Sequence, residues 1–306
     1  MSGGDAPYAA ELLTRCRFPA ERGELNCAVS GGADSLALLV LAVRAGFSVT
    51  AFHVDHGLRP GSASEAGLVA SVASRCGAKF VALSVDLSGY SGDGNLEARA
   101  REARYGVLPE AVATGHTADD VAETVLLNLM WGSGLDGLGP LVGAGVRIRP
   151  LVGLRRAETT RLCQTLGLQP LQDPMNTDPR FRRVRVRQEV LPLLNAIAGR
   201  DVVPLLLRLA DTVADDVAVL DELASAIDPT SAIELRTASR ALARRAVRGW
   251  LVASGVGDGH PPPLAVIDRV LAVALGETPR ADLIEGWRVA RRSQRLRIER
   301  IGLDRT

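Results

Sequence analysis

Lysine is all but missing from this chain: Lys79 is the single one in a set of 36 lysines and arginines. That scarcity removes the Walker A phosphate loop, which needs Gly-Lys-Ser/Thr after its glycines. Cysteine is sparse as well. Cys16, Cys27, Cys76 and Cys163 lie far apart with no CxxC pair, so structural zinc and iron–sulfur clusters lack a ligand set, and reduced, mostly buried thiols are expected. The longest unbroken apolar run, Leu36 to Val43, falls far short of the ~20 residues of a membrane span. No basic segment precedes an apolar stretch at the start, so the expectation is a cytoplasmic chain without secretory signal or membrane contact. An excess of one charge is lacking too. A net charge of +1 announces no general affinity for nucleic acid, and attraction to phosphate has to come from local clusters. Arginine suits phosphate contacts and base stacking, although a GC-rich coding bias yields the same preference.

What is present begins with Ser30-Gly31-Gly32-Ala33-Asp34-Ser35, between the apolar run Cys27-Ala28-Val29 and the stretch Leu36 to Val43. The order reads as strand, glycine turn, helix. Unpaired amides of the turn and the positive helix end converge on one small space, which favours phosphate. The paired glycines admit a ligand close to the backbone, and the serines add donors. Asp34 would repel phosphate unless a divalent cation lies between them, which points to magnesium-bound nucleotide.

At 306 residues, 47% hydrophobic and 23% charged, the chain is comfortable as two soluble globular domains. Up to about residue 150, apolar strands (Leu25–Val29, Val49–Val54, Phe80–Val85, Ala111–Thr114) alternate with helical stretches (Ser35–Arg44, Ala63–Cys76, Leu96–Tyr105, Ala118–Trp131). That alternation predicts right-handed βαβ units: an α/β fold with a doubly wound parallel sheet, its ligands beyond the carboxyl ends of the strands. Gly153–Leu168 reads as a further helix with Arg155, Arg156 and Glu158 on its polar side. After residue 200 amphipathic helices take over (Val203–Ile227, Thr237–Ala253, Leu264–Leu275), then a strand-like pair, Ala281–Ala290 and Gln294–Ile301. The expected division is a catalytic domain over 1–200 and a smaller, mostly helical domain over 201–306.

Several side chains carry candidate chemistry. Asp120 and Glu123 share a helix face, opposite an apolar stripe of Ala122, Val125, Leu126 and Leu129; acids in a first helical turn are also an ordinary N-terminal preference. Arg101 and Arg104 share a face, and Glu97 precedes Arg101 by one helical turn, so a surface ion pair is the plain alternative. His53, Asp55 and His56 could suggest a metal site, and His53 and Asp55 face the same way on a strand, but no third ligand stands at diagnostic spacing, so the rim of a base pocket suits them better than zinc. His116, beside Gly115, is placed to reach phosphates or to cap the next helix. Gly132-x-Gly134-x-x-Gly137 matches the dinucleotide fingerprint in letters, but it follows a helix instead of a strand. Arg180, Arg182, Arg183, Arg185 and Arg187 form the densest basic run, either a solvated helix end or a contact for RNA phosphates.

The six-residue glycine loop resembles the SGGxDS loop of the PP-loop ATP pyrophosphatases. The ordered series that follows is similar to the tRNA(Ile)-lysidine synthetase family. It runs through His53-Val-Asp-His-Gly-Leu-Arg59, Asn95 to Tyr105, and Ala113-Thr-Gly-His-Thr-Ala-Asp-Asp-Val-Ala-Glu-Thr-Val-Leu-Leu127. Gly132-Ser-Gly134, Arg149-Pro-Leu151, Asp173 to Asp178 and the arginines up to Leu191-Pro-Leu193 complete it. The likeness covers about residues 25 to 195. It implies ATP and Mg2+ at Ser30, Gly31, Gly32, Ala33, Asp34 and Ser35, with His53 and His116 nearby and Asp34 and Asp120 on the metal. It further implies Arg104 on the α-phosphate, Asp120 and Glu123 orienting metal and amine, and Arg183, Arg185 and Arg187 on tRNA. The family commonly has asparagine where Val184 stands. The implied reaction adenylates the wobble cytidine of the CAU anticodon of tRNA(Ile) and ligates L-lysine to it. Rivals are a thiolating PP-loop enzyme, which generally needs a reactive cysteine or a CxxC-held cluster, and an ATP-binding sensor, which has no need of the acid pair. The lysine pocket and the oligomeric state have no signature in the sequence.

Overall fold

A computed structural model of the chain describes residues 5–55, 62–85, 103, 105–139, 147–171, 177–257 and 261–301. Strands β1 (Glu24–Ala28), β2 (Ser48–Asp55), β3 (Lys79–Ser84), β4 (Val112–Ala113) and β5 (Arg147–Ile148) form one sheet in the order β3-β2-β1-β4-β5. Every pairing in it is parallel. The four strands read from the sequence are present; β5 is a two-residue strand, too short to register as an apolar run. Burial alternates along β1 and the first part of β2, with Leu25, Cys27, Val49, Ala51 and His53 buried.

The helix Ala33–Arg44 is buried along Ser35–Ala42 without a polar face, the pattern of a helix enclosed on all sides. It shares its core with Leu151, Leu154 and Leu162, and the helix Arg156–Thr165 packs on it. Strand order turns outward in both directions from β1 and β4, so the crevice beyond their carboxyl ends is the topological switch point. The glycine loop leaves β1 there, and Thr114–Thr117 leaves β4. The two backbones nearly touch: a Cβ placed on Gly115 would lie 2.8 Å from the carbonyl carbon and oxygen of Asp34.

The chain divides into two compact units, Met1–Ala214 and Asp215–Thr306. The boundary falls inside the helix Val203–Ser225, later than the change of pattern near residue 200. The second unit contains the helices Ala232–Thr237, Arg240–Ala253 and Leu264–Leu275 and an antiparallel sheet of β6 (Arg280–Asp282), β7 (Trp287–Arg292) and β8 (Arg295–Arg300). Its core holds Val247, Leu251, Ile267, Val270, Val289 and Leu296. The expected strand Ala281–Ala290 is split because the chain turns through left-handed Glu285 (φ 54°) and Gly286 (φ 72°). The expected helix from Thr237 starts at Arg240, where the Ser239 hydroxyl accepts from the Leu242 amide. No single helix among the described residues is long and apolar enough to cross a membrane.

Gly115→Ala forces two backbones apart, and overpacking of this kind costs about 1–3 kcal/mol. Chemical denaturation of the variant should show that loss; an unchanged midpoint would contradict the close approach.

Candidate active site

Gly31 takes φ 88°, a conformation that costs other residues roughly 1–2 kcal/mol, and its carbonyl accepts from the Leu171 amide at 2.9 Å. The Ser30 hydroxyl donates to Ser35 Oγ at 3.2 Å, and Ser35 donates to the Gly32 carbonyl at 2.9 Å. Gly32 is the N-cap of the helix Ala33–Arg44 and contributes no side-chain cap. The first amides of that helix are therefore not spent on a side chain, which is the condition for anion binding.

Around this loop stand the two histidines. His53, at the end of β2, holds the Val29 carbonyl through Nδ1 at 2.9 Å. Its Nε2 is buried without a hydrogen-bond partner, a cost that a bound polar ligand would relieve. His116 Nδ1 pairs with Thr114 Oγ1 at 2.7 Å, beside the loop through Gly115. His56 and both arginines read near Tyr105, Arg101 and Arg104, lie outside the described residues.

The centre of the site is Arg156. Its Nε donates to Asp34 at 3.2 Å, one terminal nitrogen to Asp120 at 2.8 Å and the other to Glu123 at 3.0 Å. One guanidinium thus ties the glycine loop to the acid helix, Ala118–Met130. Arg156 is itself aimed by Asp119, whose carboxylate accepts from the Arg156 amide at 2.8 Å and from the Arg155 side chain. Thr159, one turn on, donates its hydroxyl to Asp34. Asp120 also closes a capping box with Thr117.

Glu123 is fully buried, at 0% exposure. An ionised carboxylate survives there only with close counter-charges. Three arginines supply them: Arg156, Arg183 through Nε at 2.7 Å, and Arg187 through Nε at 2.7 Å and a terminal nitrogen at 3.2 Å. The acid helix consequently has no purely apolar stripe. Ala122, Val125 and Leu126 are buried as expected, Glu123 is buried among charges, and Leu129 is exposed.

The basic run divides by helix face. Arg183 and Arg187 point inward to Glu123, whereas Arg185 is exposed and pairs with Glu189 one turn on. The run starts as an α-turn, Arg182–Arg185, and continues through a π-helical stretch, Val186–Val190. Of the three arginines assigned to tRNA by resemblance, Arg185 is the most exposed, at 60%; Arg183 and Arg187, at 31% and 27%, are engaged by the buried acid.

Burial pushes the Asp34 carboxyl above its usual range, against the pull of the Thr159 hydroxyl and Arg156. Burial acts on Asp120 in the same sense, but Arg156, Arg183 and His116 outweigh it and hold the carboxyl down at about 2. Asp120 is accordingly ionised near neutrality. Asp34 and Asp120 are hard oxygen donors that meet on one guanidinium. Among the described residues no group of three or more His, Cys, Asp or Glu is arranged to hold a metal. Mg2+ does not need one, because it is commonly held by one or two carboxylates together with substrate phosphates, and this pair fits that pattern.

Arg156 and Thr159 escaped the sequence reading, in which Arg156 sits on an ordinary polar helix face. The available signal was electrostatic: acids expected to converge from two elements need a cation between them. Removing one partner of a buried ion network costs about 3–5 kcal/mol. Arg156→Leu should lose stability on that scale in urea titration, while Arg185→Leu should leave the midpoint close to the parent's; equal effects would contradict the division of the two arginines between interior and surface.

Residues 8–194 match the family model ATP_bind_3, described as a PP-loop domain. A tRNA(Ile)-lysidine synthase of Nocardia farcinica is 44% identical over 274 residues, covering 85% of each chain. One from Rhodococcus jostii is 41% identical over 304 residues, covering 92% of this chain and 90% of its own. Among solved structures, the U34-tRNA thiolase NcsA of Methanococcus maripaludis, with a [4Fe-4S] cluster, superposes with a TM-score of 0.57 at 17% identity over 69% of this chain and 79% of its own, a likeness of fold alone. A glycine loop at the switch point, an acid pair tied to it by one arginine, and this degree of identity over most of the chain agree: the chain belongs to the tRNA(Ile)-lysidine synthase family of PP-loop proteins.

Proposed function

We propose that this chain uses ATP to join L-lysine to the wobble cytidine of tRNA(Ile) bearing a CAU anticodon. The observation that carries the reading is the meeting of Asp34, from the phosphate loop, with Asp120 and Glu123 on the Arg156 guanidinium. A nucleotide on the loop is thereby within reach of Asp120, a carboxylate able to orient a second substrate, with Glu123 buried behind it.

Two displacements account for the product. Cytosine O2 attacks the α-phosphorus of ATP, the bond to the β-phosphate oxygen breaks, and pyrophosphate leaves. The ε-amine of lysine then attacks C2, the C2–O2 bond breaks, AMP departs with that oxygen, and the amine gives up a proton. The loop amides and serine hydroxyls hold the phosphates. Asp34 and Asp120 would hold Mg2+, which supplies counter-charge to the phosphates when bound. Asp120, held ionised by Arg156 and Arg183, attracts and aligns the lysine ammonium before it loses its proton, while Glu123, buried behind it, anchors the arginines. His53 offers its unpartnered Nε2 to the base or ribose of the nucleotide. By resemblance, Arg104 stabilises charge on the α-phosphate. Arg185 is the member of the resemblance's tRNA trio left open to RNA phosphates, with exposed Arg180 and Arg182 alongside. Such substrates place the work in the cytoplasm.

Cysteine chemistry speaks against thiolation. All four cysteines are free, and burial pushes the thiols of Cys16, Cys27 and Cys163 up to about 12, where the nucleophilic thiolate is scarce near neutrality. Single alanine replacements at these positions should leave lysine transfer intact, whereas a collapse of activity on thiol blocking of the folded protein would favour a sulfur carrier.

The central assay mixes protein, tRNA(Ile) transcript, labelled lysine and ATP. Lysine should become acid-precipitable with tRNA as AMP and pyrophosphate appear, and tRNA(Met) should be left unmodified. Asp34→Ala should abolish pyrophosphate release with its circular dichroism unchanged. Tight ATP retention without lysine incorporation would overturn the reading in favour of a nucleotide sensor.

A further inference from the structure

Trp131 is the C-cap of the acid helix and is 63% exposed, in a chain of 4% aromatic content. Leu129, Met130 and Leu135 around it in sequence are exposed as well. Large apolar side chains gathered at a surface mark an interaction site more often than chance exposure. A cation lies against this one: the guanidinium carbon of Arg182 is 5.7 Å from the centre of the Trp131 ring. Arg182 belongs to the same helical run that sends Arg183 and Arg187 inward to Glu123. Its neighbours Arg180 and Arg185 are exposed, each with a nearby acid, Asp178 and Glu189. Such exposed surface pairs contribute little and yield readily to a phosphate.

We propose that Trp131 and Arg182 form a stacking platform for an unpaired base of the RNA substrate, a neighbour of the base that reacts. The inference rests on the function proposed above and deepens it. Proteins read single-stranded RNA loops by stacking their bases on aromatic rings and guanidinium planes. The placement suits that use. Trp131 ends the helix whose first turns carry Asp120 and Glu123, and at 1.5 Å per residue its backbone lies roughly 12 Å along the axis from that of Glu123. Charge selects the occupant. Exposed apolar side chains beside Arg182, in a run that also holds exposed Arg180 and Arg185, complement a polyanion that offers flat bases, in preference to a second copy of a chain with the same basic run.

The test measures binding of full tRNA(Ile) transcript and of its isolated anticodon stem-loop to the whole chain. Trp131→Ala should weaken RNA binding about 5- to 100-fold, the range of one lost base stack. Trp131→Phe should recover most of that loss, and ATP affinity measured without RNA should match the parent. The salt slope of RNA binding should stay constant in both tryptophan variants and become shallower in Arg182→Ala. Stem-loop addition should quench parent fluorescence and quench Trp131→Phe much less, because Trp250 and Trp287 remain. Parent-like RNA affinity in Trp131→Ala overturns the platform, as does a parent dimer that this variant splits while RNA binding holds. A parent that binds and quenches with stem-loop but transfers no lysine would defeat the proposed reaction and leave the platform standing; a parent without quenching defeats the platform whatever its activity.

Discussion

One guanidinium holds this candidate site together. Arg156 touches Asp34, Asp120 and Glu123 at once, and these carboxylates come from the helix behind the glycine loop and from the acid helix. Without that cation, negative groups buried side by side would repel one another and neutralise by taking up protons. With it, and with Arg183 and Arg187 behind Glu123, three carboxylates face three guanidiniums. Asp120 stays ionised, and the two halves of the site are fixed relative to each other. Arg156 itself is charged more persistently than a free arginine, because the three acids outweigh its burial.

The fold explains why these elements meet. The parallel order β3-β2-β1-β4-β5 places the loops after β1 and β4 on either side of one crevice, and Gly115 allows their backbones to close to contact distance. The buried helix Ala33–Arg44 anchors the phosphate loop in the core, and the helix Arg156–Thr165 packs against it and delivers Arg156 and Thr159 to Asp34. Stability and chemistry therefore share residues: the arginine network that surrounds Glu123 in the interior also arranges the groups that would face nucleotide and amine.

Much of this was legible in the residues. Alternating apolar runs gave the central strands and their helices, because strands covered on both faces need β-branched and aliphatic residues regardless of partner. Ser30 to Ser35 marked the glycine turn between β1 and the helix Ala33–Arg44, and the spacing of Asp120 and Glu123 put both acids on one helix. Three features were not legible. Arg156 lies over thirty residues beyond the acids it joins, and helix periodicity marks it only as polar. The five arginines from Arg180 to Arg187 look like one surface patch, yet a helix sends its members to different faces, and the buried Glu123 claims two of them. The strand Ala281–Ala290 conceals a turn at Glu285-Gly286, whose left-handed backbone leaves only a single glycine as its trace. Each of these depends on long-range packing or on one backbone angle, which local pattern does not encode.

The account stands on a shared site in which an activated phosphate passes to RNA before lysine arrives. Single-turnover reaction with ATP radiolabelled at the α-phosphorus, with tRNA(Ile) and without lysine, tests that order most directly. Label should accumulate on the tRNA as a covalent adenylate and be released as AMP when lysine is added. Label that never joins the tRNA, with ADP as the sole product, would contradict it.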